Sequence, residues 1–285
     1  MELIKPFDPW ENQLCTCPFK YSLSAYTGCN HGCLYCYASS YIRNFRQVRP
    51  KKDFLVRLQR EIKKIPAGSY LTLANSSDPY LSLEKKLKLT RKALEILVGY
   101  GMRVSLVTKS SLIVRDLDIL KNTKHAIACI SITTLDETCA KKLEPHAPLP
   151  KERLAAVKRL SQAIPVAVRL DPLIYPLTTQ NLVKTIRAIA AAGAGQVITS
   201  TYKTKPDNFQ RMLKAYPEYR NLWQKLYCEK KGSYTYLPLK LREQLLQEVT
   251  SLAKKNGLGF SCCREGLAWL NTAACDGSNL FNRPE

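Results

Sequence analysis

The sequence lacks an uninterrupted apolar run of about 18 residues, the length needed to cross a membrane. Its first ten residues carry Glu2, Lys5, Asp8 and two prolines in place of an apolar signal segment. It also contains no internal repeat or low-complexity stretch, and nothing in its composition indicates disorder. We therefore expect a globular, cytoplasmic protein without a membrane span, with 285 residues sufficing for one large α/β domain or two small ones.

Acidic residues are scarce, with 23 Asp and Glu against 44 Lys and Arg, which gives a formal net charge of +21. A charge this far from zero makes the chain repel itself and favours anionic partners, nucleic acid above all. The alternative is a lysine-rich surface that serves only solubility.

Two segments concentrate this charge. Residues 41–65 hold nine basic and two acidic residues, and residues 202–255 hold twelve basic and five acidic ones. The second segment interleaves its charges with Phe209, Tyr216, Tyr219, Trp223, Tyr227, Tyr234 and Tyr236. Basic side chains follow phosphates and aromatic rings stack on unpaired bases, so the pattern is typical of nucleic-acid binding. Amphipathic helices whose aromatic residues face the core are the alternative for the second segment.

Strands and helices alternate through the first 200 residues. We predict strands at 21–27, 69–74, 103–108, 126–133, 166–170 and 196–199. We predict helices at 53–64, 87–100, 113–120, 151–163 and 178–192. This alternation is typical of a parallel sheet with crossover helices, whose active sites lie at the carboxyl ends of the strands.

Six such units are too few for a closed eight-unit barrel. The predicted fold class is therefore α/β, a partial (β/α)6 TIM-like barrel with a C-terminal basic helical extension. We divide the chain into an N-terminal arm (1–20), the partial barrel (21–200) and the extension with a cysteine-containing tail (201–285), in which 257–262 form a short strand.

Eleven cysteines are many for a chain without a secretory signal, and clustered thiols in a reducing compartment more often hold metal than form disulfides. Cys29, Cys33 and Cys36 have the spacing C-x3-C-x2-C on one loop that includes Gly28 and Gly32. Three thiolates hold three corners of a cubane iron–sulfur cluster and leave one iron open, which is a catalytic feature. The two glycines permit the tight backbone that such a loop needs.

Two alternatives to an iron–sulfur cluster remain. One is a structural zinc site in which His31 joins the cysteines, although no second C-x2-C or H-x3-H half follows at a suitable distance. The other is coincidence, which a Gly-Cys-x3-Cys-x-Tyr-Cys sequence directly after a predicted strand disfavours.

This loop resembles that of the radical S-adenosylmethionine (SAM) superfamily, and further motifs resemble its spore photoproduct lyase-like, or DNA-repair-photolyase-like, branch. Those motifs are residues 76–80 (SSDPY) with Glu84, 131–136 (SITTLD), 143–145 (LEP), 169–172 (RLDP), 263–266 (CREG) and 275–278 (CDGS). The resemblance implies a [4Fe–4S] cluster bound by Cys29, Cys33 and Cys36, SAM as second cofactor, and an electron donor such as ferredoxin or flavodoxin. Cleavage of SAM to a 5′-deoxyadenosyl radical is the chemistry it implies.

The resemblance also implies a SAM site beside the cluster. Tyr35 matches the family's aromatic position whose backbone meets the adenine. Ser76, Ser77 and Asp78 end the second predicted strand, where the superfamily binds the methionine ammonium, although a polar turn before a proline is the alternative. Lys109 ends the third predicted strand and is expected at the methionine carboxylate.

Three more residues complete the expected SAM site. Ser131 and Thr133 on the fourth predicted strand are expected to hydrogen-bond the ribose. Arg169 lies in an apolar strand, where an unpaired charge is costly, so it should pair with Asp171, Glu144 or an anionic ligand. A structural ion pair and a cofactor contact are equally compatible with this pattern.

Cysteines also lie near both ends of the chain, at Cys15, Cys17, Cys262, Cys263 and Cys275. If the two ends meet across the barrel mouth, these residues could hold an auxiliary metal, either a second cluster or zinc. Cys129 is expected to be a buried small side chain, and Cys139 and Cys228 carry no expected role.

One departure separates the chain from true spore photoproduct lyases. Those enzymes place a hydrogen-donating cysteine just ahead of the Asp at the end of the second strand, whereas residues 75–78 here read NSSD. We therefore predict a relative that carries out radical SAM chemistry on nucleic acid, in DNA repair or RNA modification. The alternatives are the same chemistry on a peptide or small metabolite, and a non-catalytic iron–sulfur or zinc protein that binds nucleic acid.

Overall fold

Seven parallel strands form the centre of the protein. The computed structural model describes residues 2–7, 13–73, 76–123 and 125–282. The strands are β1 (Lys5–Pro6), β2 (Tyr21–Leu23), β3 (Tyr26–Thr27), β4 (Arg49–Pro50), β5 (Tyr70–Leu73), β6 (Arg103–Thr108), β7 (Ala126–Ser131), β8 (Val166–Leu173), β9 (Gln196–Thr201), β10 (Glu229–Lys231), β11 (Tyr234–Tyr236) and β12 (Gly259–Cys262). Strands β2, β5, β6, β7, β8, β9 and β12 run parallel in that spatial order, and β1 adds an antiparallel edge beside β2.

Ten α-helices are assigned in the described residues. They are α1 (Phe54–Ile62), α2 (Glu84–Leu87), α3 (Leu89–Gly99), α4 (Leu117–Leu120), α5 (Glu137–Leu143), α6 (Pro150–Ser161), α7 (Leu182–Ala191), α8 (Pro206–Ala215), α9 (Arg220–Leu226) and α10 (Leu239–Lys255). None of the helices in the described part of the chain has the length and apolar character to span a bilayer.

The central strands are buried on both faces. Every residue of β5, β7 and β9 is buried, which is the pattern of a parallel sheet covered by crossover helices. The helices contribute matching apolar faces; α1 buries Phe54, Leu58 and Ile62, which lie four residues apart on one side of the helix. The core therefore lies between the sheet and its outer helices, and the carboxyl ends of the strands are left free for a site.

The predicted α/β class and parallel sheet are confirmed, and all six predicted strands are present. Ala74, at the end of the second predicted strand, lies outside the described residues. The segment predicted as a helix at 113–120 begins instead as a 3-10 helix (Ser111–Asp116) before α4. Helices α2 and α5 were not predicted, because each is too short to leave a clear periodicity.

The C-terminal part differs from a purely helical extension. It contains the hairpin β10–β11, and the predicted strand near residue 260 joins the main sheet as β12, parallel to β9. The parallel sheet therefore continues past residue 200 and has seven strands where six were predicted. Hydrogen-bonding partners so distant in sequence leave no local pattern from which to predict this pairing.

The aromatic residues of α8 and α9 face the core. Tyr216, Trp223 and Tyr227 are buried, and the indole Nε1 of Trp223 donates a hydrogen bond of 2.7 Å to the Tyr175 carbonyl oxygen. Of the two alternatives for this basic segment, the amphipathic-helix alternative therefore describes α8 and α9. These rings are not available to stack on bases.

Candidate active site

A cavity of about 290 Å³ occupies the barrel interior and opens at the carboxyl ends of the strands. Each central strand after β2 contributes at least one residue of the cavity wall, at or just beyond its carboxyl end. In strand order these residues are Ser76, Lys109, Ser131, Asp171, Ser200 and Cys263. Parallel strands bring polar residues together at this edge because their carboxyl ends all face the same way. The cavity is therefore where the fold class predicts the active site.

The cysteine loop lies at one side of this cavity, and its backbone geometry requires glycine at its start. Gly28 has φ +88°, and a side-chain carbon at this position would lie 2.5 Å from the Gln47 carbonyl oxygen. The amide of Cys29 donates a 2.7 Å hydrogen bond to the Phe45 carbonyl oxygen. The chain that follows the loop thus folds back under it and leaves no room for a side chain at Gly28.

Helix α8 holds the carbonyl groups of the same loop. Arg211 donates through Nε to the Leu34 carbonyl oxygen (3.1 Å) and through Nη2 to that of Cys36 (2.8 Å). Asn208 Nδ2 donates to the Tyr35 carbonyl oxygen at 3.1 Å. Sequence reasoning missed Arg211 and Asn208, because contacts between residues some 170 positions apart leave no motif.

The three loop thiols are free and are suited to an iron–sulfur cluster. Cys33 is buried, Cys29 and Cys36 are half-buried, and Cys36 lines the cavity. Burial raises the pKa of Cys29 to about 11 and that of Cys33 above its usual range, and the negative charges of Asp78 and Glu144 add to these two shifts respectively. A bound metal cation offsets this cost, because coordination stabilises the thiolate form.

His31 and Asp78 join this loop to the ends of β5 and β6. His31 Nε2 lies 3.1 Å from Asp78 Oδ2, which also accepts a 2.8 Å hydrogen bond from the Lys109 amide. Asp78 Oδ1 accepts from Thr108 Oγ1 (2.6 Å) and from the Tyr80 amide (2.9 Å). A carboxylate has about four acceptor positions, so three hydrogen bonds and the close contact with His31 occupy most of the group.

These contacts determine the charge of Asp78. Burial alone would raise its pKa, but the electrostatic interaction with His31 and the hydrogen bonds from Thr108 and the Lys109 amide lower it to about 2. Asp78 is therefore an anion held by protein groups, and its predicted contact with the methionine ammonium stays a prediction. His31 faces Asp78, which argues against the alternative in which it binds zinc with the cysteines.

The two serines of the same motif lie in different surroundings. Ser76 is exposed at the cavity wall, with its hydroxyl 3.1 Å from the Tyr41 hydroxyl, whereas Ser77 is buried and is not part of that wall. Asn75, which precedes them, lies outside the described residues. Ser76 is thus the serine with access to a ligand in the cavity.

Glu144 contacts three of the predicted SAM-site residues, Tyr35, Thr133 and Lys109. Its carboxylate accepts hydrogen bonds from the Tyr35 hydroxyl and from Thr133 Oγ1, the latter at 2.8 Å. Arg153 Nη2 lies 2.5 Å from Glu144 Oε2, and Lys109 Nζ lies 3.6 Å from Oε1. Tyr35 and Lys109 line the cavity, but the Thr133 hydroxyl is directed into this buried network.

The Glu144 network is fully buried and strongly charged. Burial would raise the pKa of Glu144, but the positive charges of Lys109 and Arg153 and the hydrogen bond from Tyr35 lower it to about 2. Sequence reasoning assigned no role to Arg153, which is 1% exposed. A buried arginine on α6 could have been found only by knowing which side of the helix faces β7.

Arg169 pairs with Asp171, one of the three partners that the sequence allowed. Arg169 Nη2 lies 2.5 Å from Asp171 Oδ2, and Ser200 Oγ donates to Asp171 Oδ1 at 2.5 Å. These three residues and Ser131 line the cavity. Arg169 and Asp171 therefore neutralise each other's charge, and both are accessible to a ligand in the cavity.

Four of the five terminal cysteines meet at the cavity wall. Cys17 Sγ lies 3.6 Å from Cys275 Sγ, and Cys15 and Cys263 are in hydrogen-bond contact with Cys17 and Cys275 respectively. All four line the cavity. Cys262 is apart from them: it is buried, and its thiol donates to a backbone carbonyl at 3.3 Å.

Tyr37, Tyr41 and Arg264 line the cavity beside Cys36, and Tyr234 and Lys205 contact them; we call these five residues the aromatic mouth. Lys205 Nζ lies 4.7 Å from the ring centre of Tyr234 and 5.7 Å from that of Tyr41. The Arg264 guanidinium lies 5.5 Å from the ring centre of Tyr37 and 5.4 Å from that of Tyr234. These are cation–π distances, so flat faces and positive charge occur together at the entrance.

Comparison with known families agrees with this site. The model of the Radical SAM superfamily matches residues 23–189, more than half of the chain. The chain belongs to the radical SAM superfamily. It is thus an enzyme whose cofactors are a [4Fe–4S] cluster and S-adenosylmethionine, and the donor set described above, three free thiols on one loop beside a cavity, fits the cluster.

The chain is also similar to three curated relatives and to a solved structure. An uncharacterised protein of Mycobacterium tuberculosis is 27% identical over 84% of this chain and 75% of its own length, and one of Acidianus two-tailed virus is 27% identical over 82% and 79%. A radical SAM Nα-GlyT isomerase of Pseudomonas phage M6 is 21% identical over 83% of this chain and 52% of its own length. A spore photoproduct lyase variant solved with SAM and dinucleoside spore photoproduct superposes with a TM-score of 0.67 at 16% identity, covering 85% of this chain and 75% of that one. The same fold is therefore shared with a known radical SAM enzyme.

Proposed function

We propose that this radical SAM enzyme acts on nucleic acid, in DNA repair or RNA modification. The observation that carries the proposal is the aromatic mouth, where Tyr37, Tyr41 and Arg264 line the cavity beside Cys36 and are contacted by Tyr234 and Lys205. Aromatic faces stack on an unpaired base, and the cations beside them neutralise the adjoining phosphates.

Two further observations support a polyanionic substrate. The net charge of +21 attracts polyanions over long distances and raises their association rate at low salt. The solved spore photoproduct lyase holds a dinucleoside photoproduct in the same fold. A base presented out of its stack is the form of substrate that a cavity of about 290 Å³ can admit.

Different residues of the site would bind the cluster and SAM. Cys29, Cys33 and Cys36 would hold the cluster, and when bound with SAM it supplies a 5′-deoxyadenosyl radical for hydrogen abstraction. Tyr35, Ser76, Lys109, Ser131 and the Arg169 ion pair line the cavity and would orient SAM. An electron donor such as ferredoxin or flavodoxin belongs to the same proposal, because the cluster must be reduced before SAM is cleaved.

The test combines cleavage and binding. Reconstituted, reduced, oxygen-free enzyme is incubated with SAM, with and without single-stranded oligonucleotides, and 5′-deoxyadenosine is measured. We expect oligonucleotides to stimulate its release, and their affinity to fall linearly in a plot of log K against log salt. Cleavage that no nucleic acid stimulates, with affinity independent of salt, would contradict the proposal and favour a peptide or small metabolite as substrate.

A further inference from the structure

The two ends of the chain meet at the cavity through sulfur atoms. Cys17 from the N-terminal arm and Cys275 from the C-terminal tail have their Sγ atoms 3.6 Å apart. Cys15 extends this contact on one side and Cys263 on the other, so four thiols, none of them in a disulfide, lie in an unbroken series. The radical SAM chemistry described above assigns no task to these four thiols.

Hydrogen bonds and a buried ion pair hold both partners of this contact in place. Lys20, three residues after Cys17, forms an ion pair with Asp276, which follows Cys275; their side chains are only 3% and 9% exposed. Cys263 continues β12, and its amide donates to the Thr199 carbonyl oxygen at 2.8 Å. The thiols are therefore held near one another by the Lys20–Asp276 ion pair and by the hydrogen bond from Cys263 to β9.

We propose that Cys15, Cys17, Cys263 and Cys275 bind a single zinc ion. Four thiolates are a complete ligand set for structural zinc, which is tetrahedral and closed to other ligands. With Zn–S bonds of about 2.3 Å, adjacent sulfur atoms of such a tetrahedron lie about 3.8 Å apart. The observed 3.6 Å between Cys17 and Cys275 is close to this spacing.

The surrounding charge suits such a site. Four thiolates around one divalent cation carry a net charge of −2, which needs nearby positive groups when buried. Lys20 acts electrostatically on Cys17, and Arg169 and Arg264 act on Cys263. Three cations thus lie near the thiols; two of them are paired with carboxylates, Lys20 with Asp276 and Arg169 with Asp171.

The site is formed by rotation of side chains that are already neighbours. Among the residues that the model covers, no three Cys, His, Asp or Glu side chains are yet grouped around one ion. The four thiols lie in series, so closing the tetrahedron requires rotation of the outer pair, Cys15 and Cys263, about their Cα–Cβ bonds. Zinc is suited to this, since it has no directional preference of its own from d-electrons.

The proposed ion has a structural consequence for the active site. All four cysteines line the cavity, and Arg264 of the aromatic mouth directly follows Cys263. A zinc ion would cross-link the arm to the tail across this wall and fix the position of Arg264. The ion would therefore position the entrance and would not take part in SAM cleavage.

Elemental analysis of the full-length protein tests the proposal without any activity measurement. Protein purified without oxygen and chelators is expected to hold one zinc per chain. The zinc should remain in the Cys29→Ala/Cys33→Ala/Cys36→Ala variant, which loses the cluster. It should be lost in Cys17→Ser/Cys275→Ser and retained in two matched controls, Cys262→Ser beside the site and Cys228→Ser on the surface.

Titration of zinc-free wild type with Co²⁺ covers the case in which the double variant does not fold. A one-to-one complex with thiolate-to-cobalt charge-transfer bands and tetrahedral d–d bands is expected, and zinc should displace the cobalt. Wild-type protein that neither retains zinc nor binds Co²⁺ in this way would overturn the proposal. So would zinc that persists in a folded Cys17→Ser/Cys275→Ser variant, or iron that this variant loses in place of zinc. Since none of these readouts needs a substrate, they do not depend on the nucleic-acid proposal.

Discussion

The imidazole of His31 and the carboxylate of Asp78 bridge two parts of the active site that are 47 residues apart. His31 lies between the first two cluster cysteines, and its Nε2 is 3.1 Å from Oδ2 of Asp78 beyond the end of β5. Both side chains are nearly inaccessible to solvent, with exposures of 7% and 8%. A buried contact of this kind with a charged carboxylate fixes the loop relative to the ends of β5 and β6.

We expect Asp78→Asn to shorten the lifetime of the cluster. The Asn side chain is neutral and has only one oxygen, so it cannot replace both carboxylate oxygens of Asp78. The contacts with His31 and the Lys109 backbone N–H should weaken, and the cysteine loop should become less well fixed. The rate of loss of the cluster's visible absorbance in the presence of a chelator should rise several-fold. Asp118→Asn, which changes an exposed carboxylate paired with Arg91, is the matched control and should leave the rate unchanged. An unchanged rate for Asp78→Asn would show that the contact does not support the loop.

Cys33→Ala should abolish both the cluster and SAM cleavage. The cubane keeps too few ligands when one of three thiolates is removed, and Cys33 is the most buried of the three. Iron content and 5′-deoxyadenosine release are the two measurements, and Cys228→Ala at an exposed position is the control. Retention of a stable [4Fe–4S] cluster together with full cleavage in Cys33→Ala would count against the ligand set.

Glu144→Gln should destabilise the apo protein. The substitution leaves the buried charges of Arg153 and Lys109 without their anion, and the expected loss in the free energy of unfolding at pH 7 is about 3 kcal/mol. Urea unfolding measures this loss. Glu248→Gln, at an exposed position of α10, should change the midpoint little.

The same carboxylate predicts a pH dependence. Its pKa is lowered to about 2 in the folded protein from an ordinary value of 4.5, so its contribution is complete above pH 4.5 and is lost as the pH falls towards 2. The difference in urea midpoint between wild type and Glu144→Gln should be constant from pH 7 to 5 and narrow from pH 4.5 to 3. A difference that does not narrow in acid would mean that Glu144 is not ionised in the folded state.

The sequence predicted those features that leave a local pattern. The alternation of strands and helices indicated the parallel sheet, and the cysteine spacing indicated the cluster loop with Gly28 at its tight turn. Neither depends on residues far away in the chain. This is why six strands and the loop can be predicted from the order of the amino acids alone.

The sequence could not predict features that depend on which distant groups meet. Nothing in the sequence indicated that Asp78 accepts hydrogen bonds from Thr108, Tyr80 and Lys109 and contacts His31. Arg211 and Asn208 looked like ordinary helix residues, yet they bind the backbone of the cysteine loop. The meeting of Cys17 with Cys275 was conditional on where the chain ends lie, which only the tertiary fold determines.

A double-variant comparison separates the two roles left open for Arg169. Arg169→Ala alone leaves the carboxylate of Asp171 without its cation and should lower both stability and SAM affinity. In Arg169→Ala/Asp171→Ala no buried charge is left unpaired, so stability should recover. If Arg169 also binds SAM, the dissociation constant should stay about tenfold higher, the loss of one charge-assisted hydrogen bond. Full recovery of affinity in the double variant would leave Arg169 a purely structural role.

The aromatic mouth makes a quantitative prediction about salt. Lys205 Nζ lies over Tyr41 and Tyr234, where a phosphate next to a stacked base would meet it. Lys205→Gln should therefore weaken oligonucleotide binding and reduce the slope of log K against log salt by about 1, the value for one lost phosphate contact. Lys158→Gln removes an equal charge from the exposed side of the outer helix α6 and should leave the slope unchanged. Equal effects of the two substitutions would mean that binding reflects net charge alone, because only a contact at the mouth distinguishes one lysine from the other.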